Sequence, residues 1–469
     1  MSQPKVYPLS KDDPLGVLLI DKSQLVDLFI KAEKKADEQL MGIEYEFFGL
    51  LSDHQPLQFE GPISIQSFLS MLSGETLSKK DPLEPIIDQN YLVALVSKRM
   101  MIALEPGGQL EIASSPTRPL EFVIHSFLDQ VKEIESAAMR HGISLMSLGF
   151  QPLATHEEMA LVKKSRYDIM RNYSPKRGGR GLGMMGRSSA TQVNIDYENE
   201  EDMAKKLKLA AILSPFIAAL WNMGPFKEGK HSRFASERML SWKETDHDRT
   251  ILPRKVFENG FSYSDWIEHT LDVPMYCIRR QNRYINTSGE SFRIFMAKGL
   301  FGEKATVRDF LEHMTTVFTD VRLKPYIEIR AADSMPLCYI NSFFIFIWMI
   351  FYHKPCFIKA QQRLSQASYE GVIDLMMDVI RRGLRARFHG EPISIVILDL
   401  FQVVLEHVDD VYKEGRDDLM LLRPFLKASM SPGDLLRARF PYIDSKNFSE
   451  LLQIASPLSS PLIQTSFNP

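Results

Sequence analysis

The chain has 469 residues, 45% of them apolar and 25% charged, with a formal net charge of −3. That length suits one large domain or about three average ones, and the apolar share is enough to bury a core. The near-neutral balance gives no global reason for a nucleic acid or an acidic membrane as partner. Cys277, Cys338 and Cys356 are too few and too scattered for a disulfide framework or a cysteine zinc site, so a reducing, cytoplasmic setting is expected. The opening MSQPKVYPLSKDDPLG has neither the apolar core of a secretory signal nor the make-up of a transit peptide.

Residues 21–40 space Leu25, Leu28, Phe29 and Ala32 at three and four, which predicts an amphipathic helix. Strand-like runs follow at Gly42–Leu50, Met101–Ile112, Thr191–Tyr197 and Tyr326–Arg330. Helical stretches lie between them at Pro119–His141, Glu201–Met223 and Thr306–Phe318. Phe343–Tyr352, FFIFIWMIFY, is far shorter than the roughly 20 residues of a membrane-spanning helix and reads as a core helix. From there to Ile454 the pattern is almost wholly helical, and residues 455–469 form a Pro/Ser-rich irregular tail. No repeat of solenoid length recurs. The pattern therefore predicts a single α+β domain over residues 1–454, with residues 343–454 as a helical layer.

The hairpin LEPGGQLEIASSP, Leu104 to Pro116, shows how the polar residues are arranged. Side chains alternate faces along a strand, so loop length decides which residues stand opposite one another. A loop made of Pro106, Gly107 and Gly108 pairs Leu104 with Leu110 and Ile102 with Ile112. It brings Glu105 and Glu111 onto one surface, and it needs a left-handed residue that glycine supplies. The same parity puts Glu44 with Glu46, Gln192 with Asn194 and Asp196, and Glu328 with Arg330. Any one of these strands, taken alone, reads as half-buried with its polar face in water. Jointly, they carry Glu, Asn and Gln where a solvated face would mix in Lys, Ser and Thr.

If these strands are neighbours, Glu44, Glu46, Glu105, Glu111 and Glu328 converge. Two like charges about 4 Å apart repel by roughly 4 kcal/mol at an effective dielectric near 20, so such a cluster protonates or holds cations. Hard oxygen donors without His or Cys point to Mg²⁺, with Mn²⁺ as the alternative, and magnesium with arginine is the equipment of phosphoryl transfer.

The stretch from Lys163 to Tyr197 collects Arg166, Arg171, Lys176, Arg177, Arg180 and Arg187 around glycines. Its Gly181-x-Gly183-x-x-Gly186 match to a dinucleotide fingerprint lacks the preceding strand and is read as chance. Lys176 and Arg187 are candidates to meet a polyphosphate from a closing loop. A mobile solvated loop and a single-stranded RNA-binding loop are the other readings, though aromatics for base stacking are sparse. Arg238 and Arg249 lie among Asp246 and Asp248 in a run that also suits structural ion pairs. His247 reads as a surface residue and Cys277 as a small core residue.

GIEYEFF, LEPGGQLEIASSP, KSRYDIM, TQVNIDY, SERMLSWKETDHDRT, LDVPMY and HMTTVFTDVRLKPYIEIRAAD occur in this order. Together they resemble glutamate–cysteine ligase (γ-glutamylcysteine synthetase) of the plant and proteobacterial type, from about Ile20 to at least Phe351. The resemblance implies a glutamine synthetase-like funnel of antiparallel sheet with helices outside. It also implies that ATP phosphorylates the side-chain carboxylate of L-glutamate and that the amine of L-cysteine then displaces phosphate, the first step of glutathione synthesis. On the matching motifs, Glu44, Glu46, Glu105, Glu111 and Glu328 would hold two or three magnesium ions, with Asn194 assisting. Arg166, Arg238 and Tyr276 would form the glutamate pocket, Thr191 its floor, and Arg249 and Arg330 the phosphate-stabilising pair. After IRAAD this chain has SMPLCYI where the family has a Gly-Gly-Pro-Trp-like run, so a related ligase acting on another amine is the alternative. The cysteines do not match the plant regulatory disulfide, so no thiol switch is expected. A monomer or homodimer without nucleic acid or membrane is expected.

Overall fold

The computed structural model describes residues 15–74, 81–281 and 283–461. Its strands are β1 (Met41–Leu50), β2 (Glu84–Asp88), β3 (Tyr91–Val96), β4 (Met100–Leu104), β5 (Leu110–Ser114), β6 (Ser144–Met146), β7 (Ala190–Ile195), β8 (Phe226–Lys227), β9 (Lys230–His231), β10 (Cys277–Arg280), β11 (Arg283–Asn286), β12 (Val321–Lys324), β13 (Tyr326–Asp333), β14 (Arg387–Phe388) and β15 (Glu391–Pro392). Nine of these form one antiparallel sheet in the order β12-β13-β7-β1-β5-β4-β3-β2, with β6 also on β1. The outer strand β2 carries Pro85, which an edge tolerates because a proline has no N–H to donate to a ladder.

Parity decides the two faces. Ile43, Tyr45, Phe47, Ile112, Val193, Ile195, Ile327 and Ile329 turn to one side and are all buried in the apolar core. Three long helices cover that side. Leu120–Arg140 packs on β1 and β6, Glu200–Leu220 on β12 and β13, and Leu337–Tyr352 on β7. Glu200–Leu220 starts where Asn199 accepts the N–H of Asp202, with three acidic residues in the first turn facing the positive end of the helix dipole.

The apolar run ending at Tyr352 is a buried helix, Leu337–Tyr352, bent by 92° from the next one, Lys354–Arg363. Its polar groups are used inside the protein. Ser342 accepts from Trp221 Nε1, and the Tyr352 hydroxyl donates to the Leu40 carbonyl while accepting the Asp196 N–H. Among the described residues no single helix is long and apolar enough to cross a membrane.

Some boundaries differ from expectation. The first helix is only Ser23–Ile30, because the chain then turns and ties its Lys34 N–H to the carbonyl of Tyr197 at the end of β7. The helix beginning after Thr306 stops at Met314, and Arg322 takes the carbonyls of Thr315 and Val317 beyond it. Strands β2 and β3 were not read from the sequence; YLVALV is a continuous apolar run with no period to distinguish strand from helix. The start of the expected tail is tied down, since the Pro457 carbonyl accepts the Leu337 N–H, while residues 462–469 lie outside the described residues.

Candidate active site

The polar face of the sheet lines a cavity of about 2130 Å³. The expected hairpin is present: Leu104 faces Leu110 and Ile102 faces Ile112, the Glu105 N–H reaches the Gln109 carbonyl, and Gly108 takes φ +84°. Gln109 anchors the turn by donating to the carbonyls of Met185 and Ser188. Register does the rest. Glu46 stands opposite Glu111, Glu44 opposite Gln192, and Asn194 opposite Glu328.

Glu44, Glu46, Glu105, Glu111 and Asn194 therefore share one wall with Arg166, Arg238, Tyr276 and Arg330. Burial, with the charge of Glu105 next, pushes Glu46 up to about 8, against the Ala190 N–H and the charges of Arg238 and Arg330. Glu111 rises well above the usual carboxylate range through burial and then through Glu44, Glu105 and Glu46. Glu105 is raised by burial against the pull of Lys164 and Arg166. Across the same space burial and the neighbouring Arg166 bring Lys164 down to about 8. Three carboxylates held this way favour protons or hard cations. Asn194 adds a fifth oxygen-bearing group: its Nδ2 donates to Glu44 at 2.9 Å, while its buried Oδ1 has no partner. The donor set fits Mg²⁺ in chemistry. As the side chains stand, no three His, Cys, Asp or Glu groups among the described residues are close enough to share one ion.

Among the arginines at the wall, Arg238 is held mainly through backbone carbonyls. Arg238 donates to the carbonyls of Arg330 (2.5 Å) and Ala331 (3.2 Å) and lies 3.4 Å from Asp333, leaving its buried Nε without a partner. The Nε of Arg166 is likewise buried and unpartnered.

Thr191, Arg249, Lys176 and Arg187 do not take their expected places. Thr191 has the parity of Val193, so it points to the core side and cannot floor the pocket; its hydroxyl is buried without a partner. Arg249 is 0% exposed and lies behind the cavity wall, bonded to Asp246, Thr316 and the Pro274 carbonyl. Its guanidinium sits 3.6 Å from the centre of the Tyr276 ring, which it props rather than reaching substrate. The basic stretch is folded into Ser165–Tyr173, Ser174–Lys176 and Gly181–Arg187 instead of forming a loop. Lys176 is exposed there, away from the wall. Arg187 is buried against Glu228 and the Phe150 ring. Arg171, Arg177 and Arg180 pair with Asp168, Asp248 and Glu237.

Glu328 is on the expected face but saturated. Its oxygens accept from Arg322 (2.6 and 3.0 Å), Lys324 (2.9 Å) and Arg330 (2.9 Å). Burial pushes its carboxyl up, but Arg322, Lys324 and Arg330 outweigh that and hold it well below the usual range. Arg322 and Lys324 were missed, although VRLK alternates in the same way as YIEIR. Lys164, beside the selected Arg166, was missed because sequence gives no measure of its burial. Cys277 lines the cavity rather than the core, and burial pushes its thiol up to about 12.

A family profile described as glutamate–cysteine ligase family 2 matches residues 40–373. The chain is 34% identical over 408 residues to a chloroplastic glutamate–cysteine ligase of Arabidopsis thaliana, covering 85% of this chain and 74% of that one. It is 34% identical over 332 residues to chloroplastic ligase A of Oryza sativa subsp. indica, covering 70% of this chain and 66% of that one. The chain thus spans about two thirds to three quarters of these relatives' lengths. In fold it is similar to glutamate–cysteine ligase of Francisella tularensis, solved with AMP, with a TM-score of 0.51 at 12% identity over 89% of this chain and 87% of that one. With the profile covering most of the chain and these identities sustained across it, the chain belongs to glutamate–cysteine ligase family 2.

Proposed function

We propose that this protein joins the γ-carboxylate of L-glutamate to the amine of L-cysteine at the expense of ATP, the first step of glutathione synthesis. The observation that carries this is one cavity wall on which the buried carboxylates of Glu44, Glu46 and Glu111 and the half-buried one of Glu105 stand with Arg166, Arg238 and Arg330. In the first step a γ-carboxylate oxygen attacks the γ-phosphorus of ATP, the bond to the β-phosphate oxygen breaks, and ADP leaves. In the second, the amine nitrogen attacks the acyl carbon of γ-glutamyl phosphate, loses a proton and expels phosphate.

Both partners of the first step are anions, so cationic groups must screen them before they meet. Arg238 and Arg166 line the cavity and supply positive charge for the substrate carboxylates, and Arg330 supplies it for the phosphoryl group. Tyr276, propped by Arg249, closes the glutamate end. Mg²⁺ held by Glu44, Glu46, Glu105, Glu111 and Asn194 Oδ1 would supply the remaining screening and orientation. Members of the family named chloroplastic say nothing of this chain's compartment; a cytoplasmic site is proposed from its cysteine usage.

The test is purified protein with ATP, MgCl₂, L-glutamate and a panel of amines, followed by phosphate release and by mass detection of the dipeptide. Cysteine should give the fastest release and γ-glutamylcysteine. Release no faster with cysteine than without it rejects the acceptor, and a faster amine in the panel would name the related ligase instead.

A further inference from the structure

In the cavity wall a neutral amide stands between two opposite charges. Gln192 is 4% exposed. Its Oε1 accepts from Arg330 Nη1 at 2.5 Å and its Nε2 donates to Glu46 Oε1 at 3.4 Å. The second oxygen of Glu46 takes the Ala190 N–H at 2.7 Å. Arg330 is held on two further sides, by Glu328 at 2.9 Å and by the Trp242 ring, whose centre is 5.5 Å from the guanidinium carbon. A guanidinium and a carboxylate that share one amide partner in a buried setting tend to pair directly when nothing stands between them. Here that pairing would consume both, removing a cation from the anionic substrates and an oxygen from the cation site.

We infer that Gln192 is a positioning residue that keeps Arg330 and Glu46 apart while fixing the direction of each, so that both stay available to the reacting groups. The inference rests on the proposed ligase reading. An amide is the group the position demands, because it accepts on one side and donates on the other. A glutamate there would capture Arg330 outright and place a new negative charge beside Glu46 and opposite Glu44, its cross-strand neighbour. A leucine would release both groups.

The experiment is a double-mutant cycle with Q192L, R330M and the pair, and with the near-isosteric Q192E in parallel. It is read as kcat and as KM for glutamate and for ATP, with melting temperatures measured alongside. Misplacing a group by an ångström costs about 10²-fold in rate. Q192L and Q192E are therefore each expected to lower kcat by about 10²-fold while glutamate KM stays within about twofold. The double variant should lose clearly less than the product of the two single losses, because part of the effect of Gln192 runs through that arginine and the rest through Glu46. Multiplying losses in the double variant, or near-normal kcat in either Gln192 variant, overturns the inference. If Q192L fails to fold, the Q192E and R330M cycle decides by the same criterion. Wild-type turnover with cysteine is measured first. Its absence would sink the ligase reading, whereas normal wild-type turnover with an indifferent Gln192 sinks this inference only.

Discussion

Replacing Glu328 with glutamine separates an anchor from a metal ligand. Glu328 is 0% exposed, and its two oxygens satisfy Arg322, Lys324 and Arg330 at 2.6 to 3.0 Å. Taking away its charge leaves three cations converging on a neutral amide, and breaking a buried ion pair in this way costs about 3–5 kcal/mol. Unfolding entropy of about 2 cal/mol/K per residue makes one degree worth about 1 kcal/mol for a chain of this size, so E328Q should melt about 3–5 °C lower. The loss should appear in chelator as fully as with magnesium. It should also depend on pH in a definite direction. The folded carboxyl lies well below its ordinary range, so its contribution is present above about pH 4.5 and fades as acid approaches the folded value. The gap between wild type and E328Q therefore narrows below pH 4.5. Scanning calorimetry in EDTA at pH 7 and pH 4 checks both statements. An unchanged melting temperature in EDTA, together with a roughly tenfold higher magnesium concentration needed for half-maximal turnover, would show Glu328 to be a ligand and refute the reasoning.

Glu46 gives the opposite sign. Its carboxyl moves from 4.5 to about 8, so the chelated protein loses stability as pH rises through that window, by about 1.4 kcal/mol per unit while only the folded state holds the proton. Melting in EDTA should fall between pH 5.5 and pH 8 and flatten in Glu46→Gln; a rise with pH would contradict the assignment. Thr191→Val removes a buried hydroxyl without a partner, which costs about 1–3 kcal/mol. The variant should melt higher with glutamate KM unchanged, and a raised KM would return Thr191 to the pocket. A Cβ at Gly107 would lie 2.3 Å from the Gly186 carbonyl oxygen, so Gly107→Ala must move the hairpin that carries Glu105; at Gly183 nothing lies within 4 Å. Turnover should fall in the first variant and persist in Gly183→Ala, and equal turnover would refute the close approach.

The sequence carried the fold as far as alternation and loop parity reach. Counting residues across Pro106-Gly107-Gly108 set the register of β4 on β5, and the same parity put Glu44, Glu46, Glu105, Glu111, Gln192 and Asn194 on one face. Resemblance and parity disagree at Thr191, which pairs with Tyr45 and so has the wrong phase for a wall shared with Gln192 and Asn194. The arginines were illegible for another reason. Arg187 pairs with a residue 41 positions away, Arg180 with one 57 away and Arg177 with one 71 away, and no local pattern encodes partners at such distances. A basic run thus looked like an open surface when each of these charges was already committed.

Strand order explains why one glutamate is saturated and four are not. β13 borders β12, which presents Arg322 directly opposite Glu328 and Lys324 nearby. β5 borders β4, which presents Ala103 opposite Glu111. The methyl group there leaves Glu111 without a cation from its neighbouring strand, which favours neutralisation by protons or by added cations. Ala103 faces the cavity, where there is room for a longer side chain. Ala103→Lys should copy the β12 arrangement, bringing an ammonium against Glu111 and returning that carboxyl toward its ordinary range. Because unpaired buried carboxylates destabilise the folded state, A103K should melt higher than wild type in EDTA at pH 8 and should gain less on adding magnesium. Magnesium-dependent turnover should fall at least tenfold in the same variant, since the lysine competes for the oxygens the cation would use. A variant that gained nothing in EDTA while keeping full turnover would mean that Glu111 is not part of a cation-seeking wall.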